Sequence, residues 1–301
     1  MSTPFRGLTR REGMLVRGEA GWAEFSPFRE YDDKEAAGWL AAAIEAATQE
    51  FPPALRDRVP VNVTVPAVSP ERAAEIVRAS GCRTAKVKVA ESGQALSDDV
   101  DRVAAVREAL GVDGRVRVDA NGAWTVDEAV EAIRALDKAG LLEYVEQPVA
   151  EVADLAAVRR RVDVPIAADE SIRRAHDPLR VRDLEAADIA VLKVQPLGGV
   201  RSCLRLAEEI GLPVVVSSAV ETSVGLAAGV ALAAALPDLP YACGLATTTL
   251  LAADATSQPL VPRDGFLDVR RCEADLLDAV EADESTDRWW QDRLRRVREQ
   301  R

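Results

Sequence analysis

Histidine is almost absent from this 301-residue chain, and that scarcity excludes several kinds of catalytic site. Multi-histidine zinc centres cannot be built from one imidazole. A Ser-His-Asp or Cys-His arrangement, or a histidine proton relay, would have to use His176 itself. His176 lies between arginines and an Asp-Pro pair, which is typical of an exposed loop before a helix, so we predict no chemistry for it.

Paired cysteines and long apolar segments are also missing. The chain has four widely spaced cysteines and no CxxC pair, which predicts buried, reduced thiols: Cys82, Cys203, Cys243 and Cys272. No apolar run is long enough to span a bilayer, and no signal sequence opens the chain. The net charge of -12 argues against a nucleic-acid partner. We expect a soluble cytoplasmic protein without a nucleic-acid or membrane partner, and its oligomeric state stays open.

Lysine is rare beside arginine, and its distribution is informative. Of the 38 lysines and arginines, five are lysines. Lys34 and Lys138 lie in polar helical segments, which predicts surface positions, whereas Lys86, Lys88 and Lys193 lie in apolar, strand-like runs. Arginine keeps its proton in proteins, but burial or a neighbouring cation can lower the pKa of a lysine. Three buried lysines in an arginine-rich chain therefore indicate proton-transfer chemistry.

Strand-like and helix-like segments alternate from residue 59 to about residue 256. Eight strands are predicted, near residues 61–65, 84–89, 115–118, 142–145, 165–168, 189–193, 213–217 and 241–244. The clearest helices between them are predicted at residues 69–80, 98–110, 125–139, 200–210 and 223–236, with a short one near 247–254. Eight such units predict an α/β fold, a closed (β/α) barrel of the TIM type. An open doubly wound sheet is the alternative, but no Gly-x-Gly-x-x-Gly turn or phosphate-binding loop follows the first strand.

The two ends of the chain do not follow this alternation. Residues 12–17 and 21–25 predict a hairpin, and an amphipathic helix is expected at 32–49, ended by the prolines at 52 and 53. Near the C-terminus, residues 265–269 predict a strand that returns to this N-terminal piece, and residues 287–300 predict a charged helix.

Charged residues recur at the predicted C-terminal ends of five consecutive strands, 23 to 31 residues apart: Lys86 and Lys88, then Asp119, Glu146, Asp169 and Lys193. This interval is about one βα unit, so the groups should converge on one rim of the barrel, where catalytic groups of such barrels collect. Three carboxylates without histidine or cysteine form an all-oxygen set that favours Mg²⁺ over zinc.

The predicted rim suits the removal of a proton next to a carboxylate. Lys86 is expected to lower the pKa of Lys88, so that Lys88 can act as a base. A metal ion beside it would stabilise the negative charge that develops on a small carboxylate substrate. A barrel that binds a ligand without catalysis is the alternative from another class, but it does not explain the three buried lysines.

This pattern resembles the enolase superfamily, and the Lys-x-Lys of strand two with the lysine of strand six is similar to its muconate-lactonizing subgroup. Mandelate-racemase-like members would need a His-Asp dyad on late strands, which this chain lacks. Within the subgroup the chain looks most like the o-succinylbenzoate synthase family. The stretches that carry this likeness are residues 5–9, 21–27, 117–121, 169–171, 217–225 and 244–247.

The resemblance implies a small split α+β capping domain, formed by residues 1–55 and by a C-terminal segment at 257–301 that returns to it, around a barrel at 56–256. It implies the Mg²⁺-dependent syn dehydration of 2-succinyl-6-hydroxy-2,4-cyclohexadiene-1-carboxylate to 2-succinylbenzoate, a step of menaquinone biosynthesis. An N-acylamino-acid racemase or dipeptide epimerase that uses the same two lysines is the alternative.

The resemblance also implies a role for each residue of the rim. Asp119, Glu146 and Asp169 would hold Mg²⁺. Lys88 would remove the α-proton and then protonate the departing hydroxyl, and Lys193 would supply positive charge from the other face. Four further residues would be candidate contacts for the substrate: Arg117, Ser217, Ser218 and Gly244.

Overall fold

The computed structural model describes Met1 and residues 8–300. Most of the 5–9 stretch used for the family resemblance lies outside these residues. In the described part, the strands are β1 (Met14–Gly18), β2 (Gly21–Phe25), β3 (Arg58–Pro60), β4 (Val63–Val65), β5 (Thr84–Lys88), β6 (Arg115–Asp119), β7 (Leu142–Glu146), β8 (Ile166–Ala168), β9 (Ile189–Leu192), β10 (Val214–Val216) and β11 (Phe266–Asp268).

The helices of the same residues are α1 (Asp33–Thr48), α2 (Pro70–Ser80), α3 (Leu96–Leu110), α4 (Val126–Gly140), α5 (Val152–Arg159), α6 (Glu170–Arg173), α7 (Arg180–Asp183), α8 (Val200–Ile210), α9 (Ser223–Ala235) and α10 (Glu284–Arg298). Two short 3₁₀ helices, Ala246–Leu250 and Leu277–Ala279, complete the set. No helix of the described chain combines the length and the apolar character needed to cross a membrane.

Strands β4 to β10 form a single parallel sheet in which each strand pairs with the next one in the sequence. Seven of the eight predicted barrel strands are thus confirmed, each within two residues of its predicted ends. The five clear helices are confirmed equally closely, and their caps explain where they begin. Ser69 accepts a hydrogen bond from the Arg72 amide at the start of α2, and Thr125 forms a capping box with Glu128 at the start of α4.

The predicted eighth strand, residues 241–244, is an extended segment with two isolated bridges and not a full strand. Val61 pairs in parallel with Cys243, and Ser217 pairs in parallel with Gly244. The segment therefore hydrogen-bonds on one side to the chain before β4 and on the other to the chain after β10. These contacts close the sheet into a barrel, which fits the expected TIM-type fold. The predicted helix after it is reduced to the first 3₁₀ helix.

Helix α9 is apolar on every side and is buried from Ser223 to Ala234. A helix of this kind needs cover on both its barrel side and its outer side. The outer cover includes the chain before β3, where Arg56 donates to the carbonyl of Ala233 (2.5 Å), and the C-terminal segment, where the Leu260 amide donates to Ser223 Oγ (2.7 Å).

The N-terminal hairpin, α1 and α10 enclose a second, aromatic core that includes Phe25, Phe28, Trp39 and Trp290. We call the N-terminal hairpin, α1 and the segment between them the cap. The cap approaches the barrel closely at Gly38 of α1, because a Cβ there would lie 2.4 Å from the carbonyl oxygen of Pro196, just after β9. Helix α10 returns to this cap, but β11 does not: it pairs antiparallel with β3 at the entry to the barrel, which corrects the predicted strand contact with residues 1–55. The predicted domain bounds stay a prediction.

Candidate active site

The charged residues predicted for the rim converge at the C-terminal ends of the barrel strands. Lys88 of β5 is in register with Asp119 of β6, which is in register with Glu146 of β7. Asp169 directly follows β8, and Lys193 directly follows β9. All of them, and Lys86, are buried, with at most 9% of each residue exposed, whereas Lys34 and Lys138 are exposed as expected. His176 is exposed too.

Each lysine of the rim contacts a carboxylate. The Lys86 ammonium donates to both oxygens of Glu146 (2.7 and 2.8 Å) and to Asp119 (3.2 Å). Lys88 donates to Asp119 Oδ2 (2.5 Å) and to Asn121 Oδ1 (2.6 Å). On the other side of the barrel mouth, which is the opening at the C-terminal ends of the strands, Lys193 donates to Asp169 Oδ2 at 2.5 Å.

The shifts in pKa separate the two lysines of β5 into different roles. Burial lowers the pKa of Lys88, and the Lys86 ammonium lowers it further against the opposing effect of Asp119. Burial acts on Lys86 as well, but Glu146 and Asp119 outweigh it and raise its pKa. Lys86 is therefore a fixed cation, and Lys88 is the amine that gives up its proton more easily.

The carboxylates of the rim also differ from one another. Burial raises the pKa of Glu146 to about 7, and the neighbouring Asp119 raises it in the same direction. For Asp119, burial is outweighed by Lys88 and Lys86, which lower its pKa. The pKa of Asp169 is lowered, because Arg173 and Lys193 outweigh its burial. The negative charges of the three carboxylates thus act on one another at the centre of the mouth.

A narrow cavity opens between these groups. Its wall includes the side chains of Lys88, Asp119 and Lys193 from the barrel and Phe28 from the cap, and three of the four candidate substrate contacts: Ser217, Ser218 and Gly244. Their contact with a substrate stays a prediction. Thr64, Asn121 and Phe28 line the cavity as well, and we did not single them out from the sequence.

Arg117 is not among the residues that line this cavity, and its contact with a substrate stays a prediction. It lies two residues before Asp119 on β6, deeper in the barrel, with no exposed surface. Its guanidinium donates to Glu143 (2.5 Å) and to the Ala242 carbonyl (2.6 Å) and lies over the ring of Tyr144 (4.6 Å). These contacts join β6 to β7 and to the closing segment 241–244, and one terminal nitrogen of the buried guanidinium has no hydrogen-bond partner among the described residues.

The described residues contain no cluster of three or more His, Cys, Asp and Glu already arranged around one point as a metal site. In the structure, lysine ammonium groups lie against oxygens of all three rim carboxylates. The donor set itself fits a hard divalent cation: Asp119, Glu146 and Asp169 are buried, lie at the tips of three adjacent strands and bring oxygen donors alone. The predicted ligand set remains a prediction.

Two family models match the chain. The model described as enolase C-terminal domain-like matches residues 69–273, and the one described as enolase N-terminal domain-like matches residues 1–47. An o-succinylbenzoate synthase of Thermobifida fusca is 67% identical over 300 residues, which cover 99% of this chain and 93% of the relative. The chain belongs to the o-succinylbenzoate synthase family of the enolase superfamily. The family resemblance stated from the sequence is thereby confirmed.

A second relative agrees with this family assignment, and a solved structure shows the same fold. The o-succinylbenzoate synthase of Mycolicibacterium smegmatis is 58% identical over 297 residues, covering 98% of the chain and 91% of the relative. The solved structure of the L-Ala-D/L-Glu epimerase from Bacillus subtilis has the same fold, with a TM-score of 0.72 at 24% identity, covering 87% of this chain and 89% of that one. Members of this family are enzymes, and superfamily membership indicates a divalent metal.

A second buried group of charges joins the cap to the loop after β10, which lines the cavity. Glu24 of β2 accepts hydrogen bonds from the amide (3.0 Å) and the hydroxyl (2.5 Å) of Thr222. Glu221 accepts from the Ala219 amide (3.0 and 2.9 Å), and Arg11 donates to the Val220 carbonyl (3.1 Å). These contacts fix the loop whose tip includes Ser218, so the cap shapes one wall of the site.

This group predicts a pH-dependent contribution to stability. Burial, with the nearby Glu24 charge, raises the pKa of Glu221 to about 7, although Arg11 acts in the opposite direction. Because the folded chain binds this proton more tightly than the unfolded chain, the contribution is fully present below pH 4.5 and is lost as the pH rises through 7. We expect the free energy of unfolding of the wild type, relative to Glu221→Gln, to fall by about 3 kcal/mol over that range. Urea titrations at several pH values measure it, and parallel curves for the two proteins would contradict the expectation.

Proposed function

We propose that this protein is an o-succinylbenzoate synthase that uses Mg²⁺ to catalyse the syn dehydration of 2-succinyl-6-hydroxy-2,4-cyclohexadiene-1-carboxylate to 2-succinylbenzoate. The carrying observation is the 67% identity to a synthase of that name over almost the whole of both chains. The cavity supports the proposed chemistry, because Lys88, whose pKa is lowered by burial, lines it beside the buried carboxylate of Asp119. By its product, the reaction belongs to menaquinone biosynthesis.

In this proposal Lys88 performs both proton transfers. Its neutral amine takes the proton from the ring carbon next to the carboxylate, and the electron pair of that C–H bond enters the ring. The C–O bond to the hydroxyl on the same face then breaks. The Lys88 ammonium returns its proton to the leaving oxygen, which departs as water, and the ring becomes aromatic. A syn elimination needs one acid–base group on one face, which is what Lys88 provides.

The remaining rim residues act by their charges on Lys88, on the metal ion and on the substrate. Lys86, held by Glu146 and Asp119, stays protonated and adds to the effect of burial, which lowers the pKa of Lys88. Lys193, which lines the cavity on the other side of the mouth, would offset the negative charge that develops on the ring. Asp119, Glu146 and Asp169 would hold the Mg²⁺, which would supply positive charge at the substrate carboxylate. For a cation to bind, the Lys86 and Lys193 ammonium groups must shift from some of the oxygens that they now contact.

A racemase or epimerase that acts on N-acylamino acids or dipeptides is the second candidate. The observation in its favour is that Lys88 and Lys193 both line the cavity, so one could remove an α-proton and the other return it from the opposite face. The residues around them at the ends of β10 and of the closing segment are Ser, Gly and Ala, without an exposed charge that would select a charged dipeptide.

Two parallel assays separate the synthase activity from the racemase or epimerase activity. Purified protein with Mg²⁺ is incubated with the cyclohexadiene substrate, and the loss of its absorbance is followed. We expect conversion to 2-succinylbenzoate. In parallel, N-succinylamino acids and dipeptides are incubated in D₂O, and exchange of the α-proton is followed by NMR. Exchange without any dehydration would reject the synthase proposal in favour of the second candidate.

We also propose that the protein works in the cytoplasm. The four cysteines are all buried free thiols in the structure, a state that a reducing compartment preserves. The substrate is a small carboxylate, and no macromolecular partner is needed for the proposed reaction.

A further inference from the structure

Arg173 is a buried arginine whose three guanidinium nitrogens each donate to a different partner. It is the last residue of the short helix α6, four residues after Asp169. Nε donates to Asp169 Oδ1 (2.8 Å), one terminal nitrogen donates to Glu170 Oε1 (2.5 Å), and the other donates to the Tyr31 hydroxyl (2.5 Å). The guanidinium is a rigid planar fork, so its three contacts constrain one another in geometry.

The contact with the Tyr31 hydroxyl leads to the cap and to the cavity wall. Tyr31 belongs to the aromatic core of the cap, where its ring meets the edge of Phe28 with the ring centroids 5.4 Å apart. Phe28 in turn lines the cavity. A displacement of the cap segment 28–31 would take the Tyr31 hydroxyl away from Arg173 and leave a buried charged donor without a partner, which is costly.

The contact with Glu170 leads to Lys88, the proposed base. Glu170 Oε1, which accepts from Arg173, also accepts from Asn121 Nδ2 at 3.2 Å. Asn121 Oδ1 is the atom that accepts from Lys88 Nζ at 2.6 Å. Asn121 is held in a left-handed backbone conformation (φ 48°), so its side chain is placed by the turn after β6. A continuous set of hydrogen bonds therefore runs from Tyr31 through Arg173 to Lys88.

The contact with Asp169 leads to the predicted metal site. Arg173 takes one oxygen of Asp169 and thereby orients the carboxylate so that its other oxygen, Oδ2, points into the mouth, where Lys193 contacts it. Partners that orient a metal-binding carboxylate in this way are known to affect metal affinity strongly when they are removed.

We propose that Arg173 is a positioning residue that couples the seating of the cap to the metal site and to the base. With the cap segment 28–31 seated against the barrel, Tyr31 fixes the guanidinium, which holds Asp169 and, through Glu170 and Asn121, Lys88 in their working orientations. This inference rests on the proposed function, because it assumes that Asp169 is a metal ligand.

The test is a titration of metal-free protein with Mg²⁺ by calorimetry, without substrate, for the wild type, Tyr31→Phe, Arg173→Met and the double variant. Tyr31→Phe keeps the aromatic packing and removes the hydroxyl. Arg174→Met is the matched control: Arg174 also joins α6 to the cap, by donating to Glu35 (2.9 Å), and lies over the Tyr31 ring (5.1 Å), but its contacts do not include Asp169. Near-ultraviolet circular dichroism verifies that each variant is folded.

We expect Arg173→Met to weaken Mg²⁺ binding by about 10- to 100-fold, and Tyr31→Phe to weaken it by roughly threefold to tenfold. The double variant should match Arg173→Met, because both changes act through one set of bonds. Arg174→Met should bind Mg²⁺ like the wild type. If Arg173→Met does not fold, the comparison of Tyr31→Phe with Arg174→Met still decides.

Two results would overturn the coupling. Wild-type affinity in Tyr31→Phe would show that the cap does not act on the metal site, and equal losses in Tyr31→Phe and Arg174→Met would show a general effect of cap stability. In both cases the wild type would still bind Mg²⁺ and dehydrate the substrate. Absence of Mg²⁺ binding by the wild type would instead reject the metal part of the proposed function, and the coupling with it.

Discussion

Replacement of Lys88 by alanine is expected to lower kcat for dehydration by about 10⁴-fold or more, because one amine is used as base and then as acid. A single positioned acid or base is typically worth about 10² to 10⁴ in rate. The environment supports this role, since burial and the Lys86 ammonium lower the pKa of Lys88 while Asp119 and Asn121 hold its nitrogen in place. The measurement is the rate of absorbance loss at saturating substrate, with single-turnover reactions for the variant.

The control is Lys138→Ala, which removes an exposed lysine from α4 and should leave the rate unchanged. Binding of the product 2-succinylbenzoate by Lys88→Ala should stay within about tenfold of the wild type, since the lost contact acts on the reacting atoms. A variant that retains more than about a tenth of wild-type activity would show that another group carries the proton.

Removal of the divalent metal is expected to lower the dehydration rate by at least about 10³-fold, because a metal ion contributes several kcal/mol to the stabilisation of developing charge. Dialysis against EDTA, followed by assay before and after addition of Mg²⁺, measures it. Full recovery with Mg²⁺, and none with Na⁺ at equal ionic strength, is the expected result. An EDTA-treated protein that keeps its rate would reject the metal requirement.

The fold should survive this treatment, in contrast to the activity. The Lys86, Lys88 and Lys193 ammonium groups and the Arg173 guanidinium already contact the three carboxylates, so the mouth does not depend on the metal for charge balance. We expect the unfolding temperature of metal-free protein to stay within a few degrees of that of the Mg²⁺-loaded protein. This result would separate loss of chemistry from loss of structure.

Period and composition were sufficient to predict the barrel and the residues of its rim. Strands that are buried on both faces have continuous apolar sequences. Lysines within such sequences are conspicuous in a chain that otherwise uses arginine for positive charge. The sequence pattern does not predict how deep in the barrel a side chain lies. Alternation predicts that Arg117 points inward, as it does, but not that it stops below the cavity with Glu143 and Tyr144 as partners.

Contacts between distant segments could not be predicted from local pattern. Arg173 meets Tyr31 across 142 residues of sequence, and its place depends on a single turn of helix after β8. The one available signal was its spacing of four residues from Asp169, which places two side chains on the same side of a helical turn. The closing segment at 241–244 was expected as a strand because its length and composition agree, but its pairing is limited to two bridges.

The pairing of β3 with β11 has a consequence for how the chain reaches its native state. These strands lie about 200 residues apart, and α1 and α10 meet across a still longer separation. Contacts of such high sequence separation slow folding, because a long loop must close before they form. During synthesis the apolar helix α9 leaves the ribosome before the C-terminal segment around Leu260 that covers it, so its outer side stays exposed to aggregation until that segment appears. The cap, which α10 joins, is therefore completed after all the strands of the barrel have left the ribosome.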